Sequence, residues 1–460
     1  MIKLISVEWI RFSRNPINIW VVGLFFLLMT VSALWSGLAA REFRANIYAP
    51  AVLQQPTNQA EMHDGPKNTD TTKKLTAFSA SSTAPPLKLT ALGGLALNVS
   101  QLDLLSSSIK ISVRSRHTDG RTSDQLFNPL MHELGLLDFA TVLALLLPLV
   151  IIALTYGLVQ EDRESGVWRL VCTQSSRPWL LVFAALWVRY WLLFLVIICA
   201  SLIAFILDPG STGTALGYWL LLISLYNLVW FSIAGLFLLL PISSGAAAIA
   251  MLGTWLIITF AIPAGLGWAA NQAANMPSRM ATIIDIRHFQ ELSNQHRQSL
   301  LVDWYAAHPN ITPPAPLKDL PREIAGLPAT LELDNQIRPL MYQFDSARKT
   351  QLEFIERWSC FSPALGVILM ADRLAGIDAP RYADLIHEVN QFEDQWRNYF
   401  VPLVMAAAPW SEDQQKLVPQ FNFNATNNLT SCFHLSLTQF GTAVVLLTLL
   451  YMLRHRFAKI

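Results

Sequence analysis

Six runs of about 20 apolar residues with few charges decide most of what this chain can fold into. A bilayer core of about 30 Å takes roughly 20 helical residues at about 1.5 Å each. The runs 17–38, 135–158, 179–207, 215–240, 245–268 and 435–453 meet that length. A backbone inside lipid has to satisfy its own hydrogen bonds, so each run is expected to be a helix. Of the 460 residues 53% are apolar and 14% charged, against about 25% charged in ordinary soluble domains. The first run is longer than the apolar core of a signal peptide, about 7–15 residues, and reads as a retained span. With 33 basic and 32 acidic residues the chain carries no global field, which disfavours nucleic acid as a partner.

Lysine and arginine collect on cytoplasmic flanks. Here they lie at Lys3, Arg11 and Arg14, at Arg163, Arg169 and Arg177, and at Arg454, Arg456 and Lys459. Both termini (1–16 and 454–460) and the loop 159–178 are therefore expected inside, and the polar segments 39–134 and 269–434 outside. Residues 1–16, with Ile2, Ile5 and Trp9 beside their basic residues, suit an amphipathic elbow helix on the lipid surface. A frayed basic tail is the alternative.

In the first outer segment, residues 49–86 are rich in Pro, Thr, Ser, Gln and Asn and are expected to be mobile. Leu95, Leu97, Val99, then Ile109, Ile111, Val113 follow the strand period. The second outer segment has helical periodicity over 283–305, 337–355 and 382–400, with a Pro-rich stretch at 309–328. The expected fold is an α-helical integral membrane protein of six transmembrane helices with two extracytoplasmic domains, the larger mainly helical and the smaller open to α+β.

Several chemistries lack their residues. No G-x-x-x-x-G-K-[ST] loop occurs, and Gly93-Gly94 is followed by Leu95 and Ala96, so the chain is expected to bind no nucleotide or other cofactor itself. His387-Glu388 and His132-Glu133 begin like a zinc-protease motif but reach Gln391 and Leu136 where the second histidine belongs. No G-x-S-x-G elbow occurs, so an enzyme is not expected, although a dispersed triad stays open. Cys172, Cys199, Cys360 and Cys432 are too few for a disulfide scaffold, and Cys360 with Cys432 is the one pair on a common side. The N-x-[ST] matches at Asn98, Asn310, Asn424 and Asn428 are of the kind Asn-rich loops produce by chance.

Three polar residues fall within the apolar runs. Arg189 stands ten residues into the third. It is expected to snorkel to headgroups, with the true span starting near Tyr190; a buried functional charge is the alternative. Asn227 and Asp138 are expected as helix-packing or interfacial residues, or as the lining of a path.

The most informative stretch is 160–171, with an acidic head at Glu161, Asp162 and Glu164 and an apolar side at Val167, Trp168, Leu170 and Val171. Acid suits a helix N-terminus, and the apolar side suits a partner surface. It resembles the glutamate, glycine, arginine and leucine pattern of type-two ATP-binding-cassette permeases, the exporter-like class. Glu161, Glu164, Gly166, Arg169 and Leu170 carry the likeness, and Val167 replaces the usual threonine. The resemblance implies that Glu161, Glu164, Gly166, Trp168, Arg169 and Leu170 form a coupling helix docked on a separate ATPase subunit. ATP and magnesium would then belong to that partner, and a second permease chain, identical or related, would complete the assembly in the lipid of a bacterial inner membrane.

A second resemblance runs through 303–309, Ser362-Pro363-Ala364, Arg381-Tyr382 and 396–400. These are similar to a branch of such permeases with large extracytoplasmic insertions and no assigned substrate. Two other readings remain: force transmission to a periplasmic protein, and a membrane-anchored receptor or enzyme without an ATPase.

Overall fold

The computed structural model describes residues 2–48, 76–82, 87–99, 108–109, 111–114, 138–175, 177–423 and 429–459. The mobile stretch expected at 49–86 lies mostly outside them, as do Asn424, Asn428 and the His132-Glu133 pair. Among the described residues six helices are long and apolar enough to cross a membrane: Pro16–Ala45, Phe139–Glu164, Trp179–Leu207, Gly213–Phe237, Ser244–Ala273 and Cys432–Leu453, here spans 1 to 6. The chain is an α-helical multi-pass membrane protein. Because the spans alternate in direction, one side carries the chain ends and the other carries residues 279–424; we call these the termini side and the domain side.

Helix Ile2–Arg14 stops where Pro16 removes an amide, and Asn15 Oδ1 accepts the Ile17 N–H at 3.0 Å to start span 1. The helix of span 1 runs on to Tyr48, ten residues past the apolar limit at Leu38. Spans 2 and 4 are the most enclosed, each 56% buried, so the bundle centres on them. Large aromatics fill that centre, two of them with their polar ends met: Tyr226 Oη donates to Ala144 O at 2.6 Å and Trp219 Nε1 to Ser201 Oγ at 3.1 Å.

On the domain side the expected helix over 283–305 is two, Arg279–Gln295 and Arg297–Ala307, broken at His296. Two longer helices follow, Leu327–Trp358 and Ala379–Met405. Charge joins this pair, buried at Arg397, Asp334 and Glu393 and partly exposed at Arg338 and Asp394. Arg397 reaches Asp334 at 2.7 Å and Glu393 at 3.0 Å, while Arg338 pairs with Asp334 at 3.1 Å and with Asp394. Between them lies Pro363–Ala375, capped by Ser362 and packed against spans 2, 4 and 6.

The strand reading of the smaller segment holds only in part. Leu87–Lys88 pairs antiparallel with Ser108–Ile109, but Leu95–Leu97 is a 3-10 turn. The segment before that turn is held from outside rather than by a sheet. Leu92 N–H donates to Ala375 O and Gly94 N–H to Leu374 O, both at 2.9 Å, while Thr212 N–H donates to Gly93 O at 3.2 Å. Arg44, from the end of span 1, binds Asp208 at the end of span 3 through two bonds of 2.5 and 3.1 Å and also donates to Leu92 O. Asn98, one of the N-x-[ST] matches, is buried and donates to Asp372. Cys360 and Cys432 are both free thiols.

Removing one member of a buried ion pair strands the other, at about 3–5 kcal/mol. Arg44→Met is expected to lower the unfolding temperature in detergent sharply, and Arg44→Met with Asp208→Leu to recover part of the loss. Asp372 is a separate case. Burial pushes its carboxyl up to about 8, against the opposing bond from Asn98. In the unfolded chain the group ionises near 4. Between pH 4 and 8 the unfolded state therefore gives up a proton that the fold retains, and stability falls as pH rises through that window. Asp372→Asn is expected to flatten the dependence, gaining a few degrees over wild type at pH 8 and little at pH 5 in thermal unfolding.

Candidate functional site

The termini-side end of span 2 and the connection from it to span 3 fold as two short helices, Gln160–Glu164 and Val167–Gln174. Glu161 and Asp162 occupy the first turn of the first, where exposed amides favour negative charge. Gly166, at φ +77°, joins the two in the left-handed conformation that a side chain would strain. This hinge lets the second helix turn its apolar edge outward.

The inner faces of both helices close the ends of other spans. Gln160 Nε2 donates to Phe237 O at 3.2 Å, and Arg163 donates to Leu238 O at 3.2 Å and Leu240 O at 2.8 Å. These carbonyls lie at the end of span 4 and in the turn just beyond it, where the helical ladder runs out, although Phe237 O also accepts the Leu240 N–H at 3.0 Å. Glu164 accepts the Ser244 N–H at 2.8 Å and its hydroxyl at 3.1 Å, so its carboxylate sits at the N-terminus of span 5. Arg11 of the amino-terminal helix grips both oxygens of Asp162, at 3.1 and 3.0 Å. Beside it Glu8 is buried, which raises its carboxyl above the usual range despite Arg11 and Arg189 nearby. Trp168 is buried too, its indole N–H donating to Phe457 O at 3.2 Å beyond span 6.

What stays free is a ridge of Glu161, Val167, Arg169 and Leu170, with Val167 47% and Leu170 58% exposed. The six residues singled out in sequence thus divide by role. Glu161, Arg169 and Leu170 face outward with Gly166 at the bend, whereas Glu164 and Trp168 are braces. Neither brace was legible as one, since Ser244 and Phe457 lie far away in sequence.

The three intramembrane polar residues do not converge. Span 3 is one helix that runs through Arg189, and the guanidinium is buried against protein rather than snorkelling. It donates to Leu154 O at 2.9 Å and Ala185 O at 3.0 Å and lies 5.3 Å over the Phe12 ring. The reason is a local break: span 2 loosens after Thr155, Leu158 N–H turns to Thr155 O, and Leu154 O is left for Arg189. Asn227 is buried and donates to Tyr190 O at 3.3 Å. Asp138, at the domain-side end of span 2, accepts the Val99 N–H at 3.3 Å.

A protein-family model described as "Domain of unknown function (DUF3526)" matches residues 279–424, the helical region of the domain side. No curated protein and no solved structure matches the chain.

Brace and ridge separate experimentally. Trp168→Phe keeps the packing and loses the bond to Phe457 O, so amide exchange over 454–459 is expected to quicken about fivefold, the loss of one buried hydrogen bond. Leu170→Ala should leave exchange there unchanged.

Proposed function

We propose that the chain is the membrane subunit of an ATP-binding-cassette transporter of the exporter-like class, driven by a separate ATPase that docks on the ridge of Glu161, Val167, Arg169 and Leu170. ATP and magnesium then sit on the partner. The termini side faces the cytoplasm of a bacterial inner membrane, the 279–424 region faces away, and a second membrane chain, identical or related, completes the assembly.

One observation supports this above the rest: the loop is tied to every span. It continues spans 2 and 3 covalently and holds span 4 through Gln160 and Arg163. It reaches span 5 through Glu164, span 6 through Trp168, and the helix leading into span 1 through Asp162. A push on Leu170 reaches all six helices through hydrogen bonds and chain. A plain connecting loop needs no such bracing, whereas a two-state membrane machine driven from outside needs one point of load. The same motor could move the 279–424 region against another protein instead of a solute through the bilayer, a second reading favoured by helix Pro363–Ala375 lying among the domain-side ends of the spans.

Mild detergent extraction of the wild-type chain is expected to recover an ATP-binding subunit. Leu170→Asp should reduce the recovered ATPase activity about tenfold or more, the scale of a central interface residue, with unchanged membrane insertion. Wild-type extracts without any ATP-binding subunit, or labelling of a Leu170→Cys thiol only from the outer face, would overturn the reading.

A further inference from the structure

Span 5 carries a proline inside its apolar run, and the gap this leaves is filled from the domain side. Pro263 has no N–H, and its ring crowds the carbonyl one turn back. The helix widens just before it: Ile257–Ala261 is a π-turn, in which the Ile262 N–H bonds Ile257 O. The next donor in that pattern, for Ile258 O, would come from Pro263 itself. Ile258 O therefore loses the donor that the π pattern would give it. Ser362 supplies one, its buried hydroxyl donating at 2.8 Å. The same oxygen accepts the Leu365 N–H at 3.4 Å, so Ser362 both caps helix Pro363–Ala375 and answers that carbonyl of span 5.

The rest of that helix is held as firmly. Gln439 of span 6 donates to Pro363 O at 3.2 Å and occupies the space beside Gly366, where a Cβ would stand 2.6 Å from its amide nitrogen. At the other end the Leu92 and Gly94 amides bind the last two carbonyls, in the segment clamped by Arg44 and Thr212. The helix is also the covalent link between Leu327–Trp358 and Ala379–Met405, which the Arg397, Asp334, Arg338 and Asp394 network locks together.

We propose that helix Pro363–Ala375 is a relay that sets the pose of the two long domain-side helices according to the shape of span 5, with Ser362 as the positioning residue and the Pro263 π-turn as its membrane-side joint. It rests on the ATPase reading only for what drives span 5 in the cell. Because the relay lies among the domain-side ends of spans 2, 4 and 6, its output is movement of the 279–424 region rather than an opening through this subunit.

Hydrogen exchange on the full chain in lipid nanodiscs, with no ATPase present, tests it. Pro263→Ala restores an N–H that competes with Ser362 for the π-turn carbonyls. It is expected to quicken exchange in 327–358 and 379–405 about fivefold, as for one buried hydrogen bond lost. Ser362→Ala is expected to do the same. In the Ser362→Ala background, Pro263→Ala should still alter exchange at 259–264 but add nothing in the long helices, a non-additivity that mere destabilisation does not produce. A distal effect of Pro263→Ala that persists without the Ser362 hydroxyl would overturn the relay, as would its absence in the otherwise wild-type chain. Gln439→Leu, which leaves the π-turn intact, is a second variant: loosening of the same two helices supports the relay, and unchanged exchange there counts against it. With no ATPase in the sample, failure here leaves the docking reading of the 160–174 loop intact, and failure of that reading leaves the relay standing.

Discussion

A carbonyl at a helix end or break is left to donors outside its own helix, and this molecule is organised around the places where that happens. Leu154 O is met by Arg189, the carbonyls at the end of span 4 and just beyond it by Gln160 and Arg163, and Ile258 O by Ser362. Leu374 O and Ala375 O are met by amides of the 92–94 segment, and Phe457 O by Trp168. In each case the donor comes from another element of the fold. A helix that satisfies itself can slide past its neighbours at little cost, whereas one whose carbonyl is held by a foreign side chain cannot. The interruptions are thus the fixed joints of the bundle.

Their placement divides the protein into two collars. On the termini side Gln160, Arg163, Glu164 and Trp168 gather spans 4, 5 and 6 under the two short helices. On the domain side Arg44, Asp208, Thr212 and Gln439 gather spans 1, 3, 4 and 6 around Pro363–Ala375. Span 5 belongs to both collars, through Ser244 at one end and Ile258 partway along. It is also the least enclosed of the six, 17% buried. A helix anchored at two levels and free along most of its surface is the element best placed to carry displacement between them.

The spans were legible because lipid imposes a length and a composition that a single chain must display locally. The long domain-side helices were legible for the same local reason, apolar residues at helical spacing. What escaped were pairings across the chain. Glu164 reads as one more acid at a helix start, and nothing near it announces Ser244. Arg189 follows the usual expectation for a long basic side chain near a helix end, which fails because span 2 breaks beside it and offers a carbonyl. Helix Pro363–Ala375 is too short for a span and too apolar for a surface helix. Its punctuation, Ser362-Pro363 at the start and Gly376 just past the end, was present in the sequence all the same. The strand period at Leu95 to Val99 yielded to the bonds that draw 92–94 onto the end of that helix.

The Arg44 and Asp208 pair also bears on how the protein is made. The arginine is synthesised 164 residues before the aspartate, and at roughly 5–20 residues per second that delay is about 8–33 s. Through that interval the guanidinium has water, phospholipid headgroups and, once it is made, the Leu92 carbonyl as partners, which keep the end of the first helix at the bilayer rim rather than in its core. The order of insertion, and not only the finished contact, is written into the distance between these two charges along the chain.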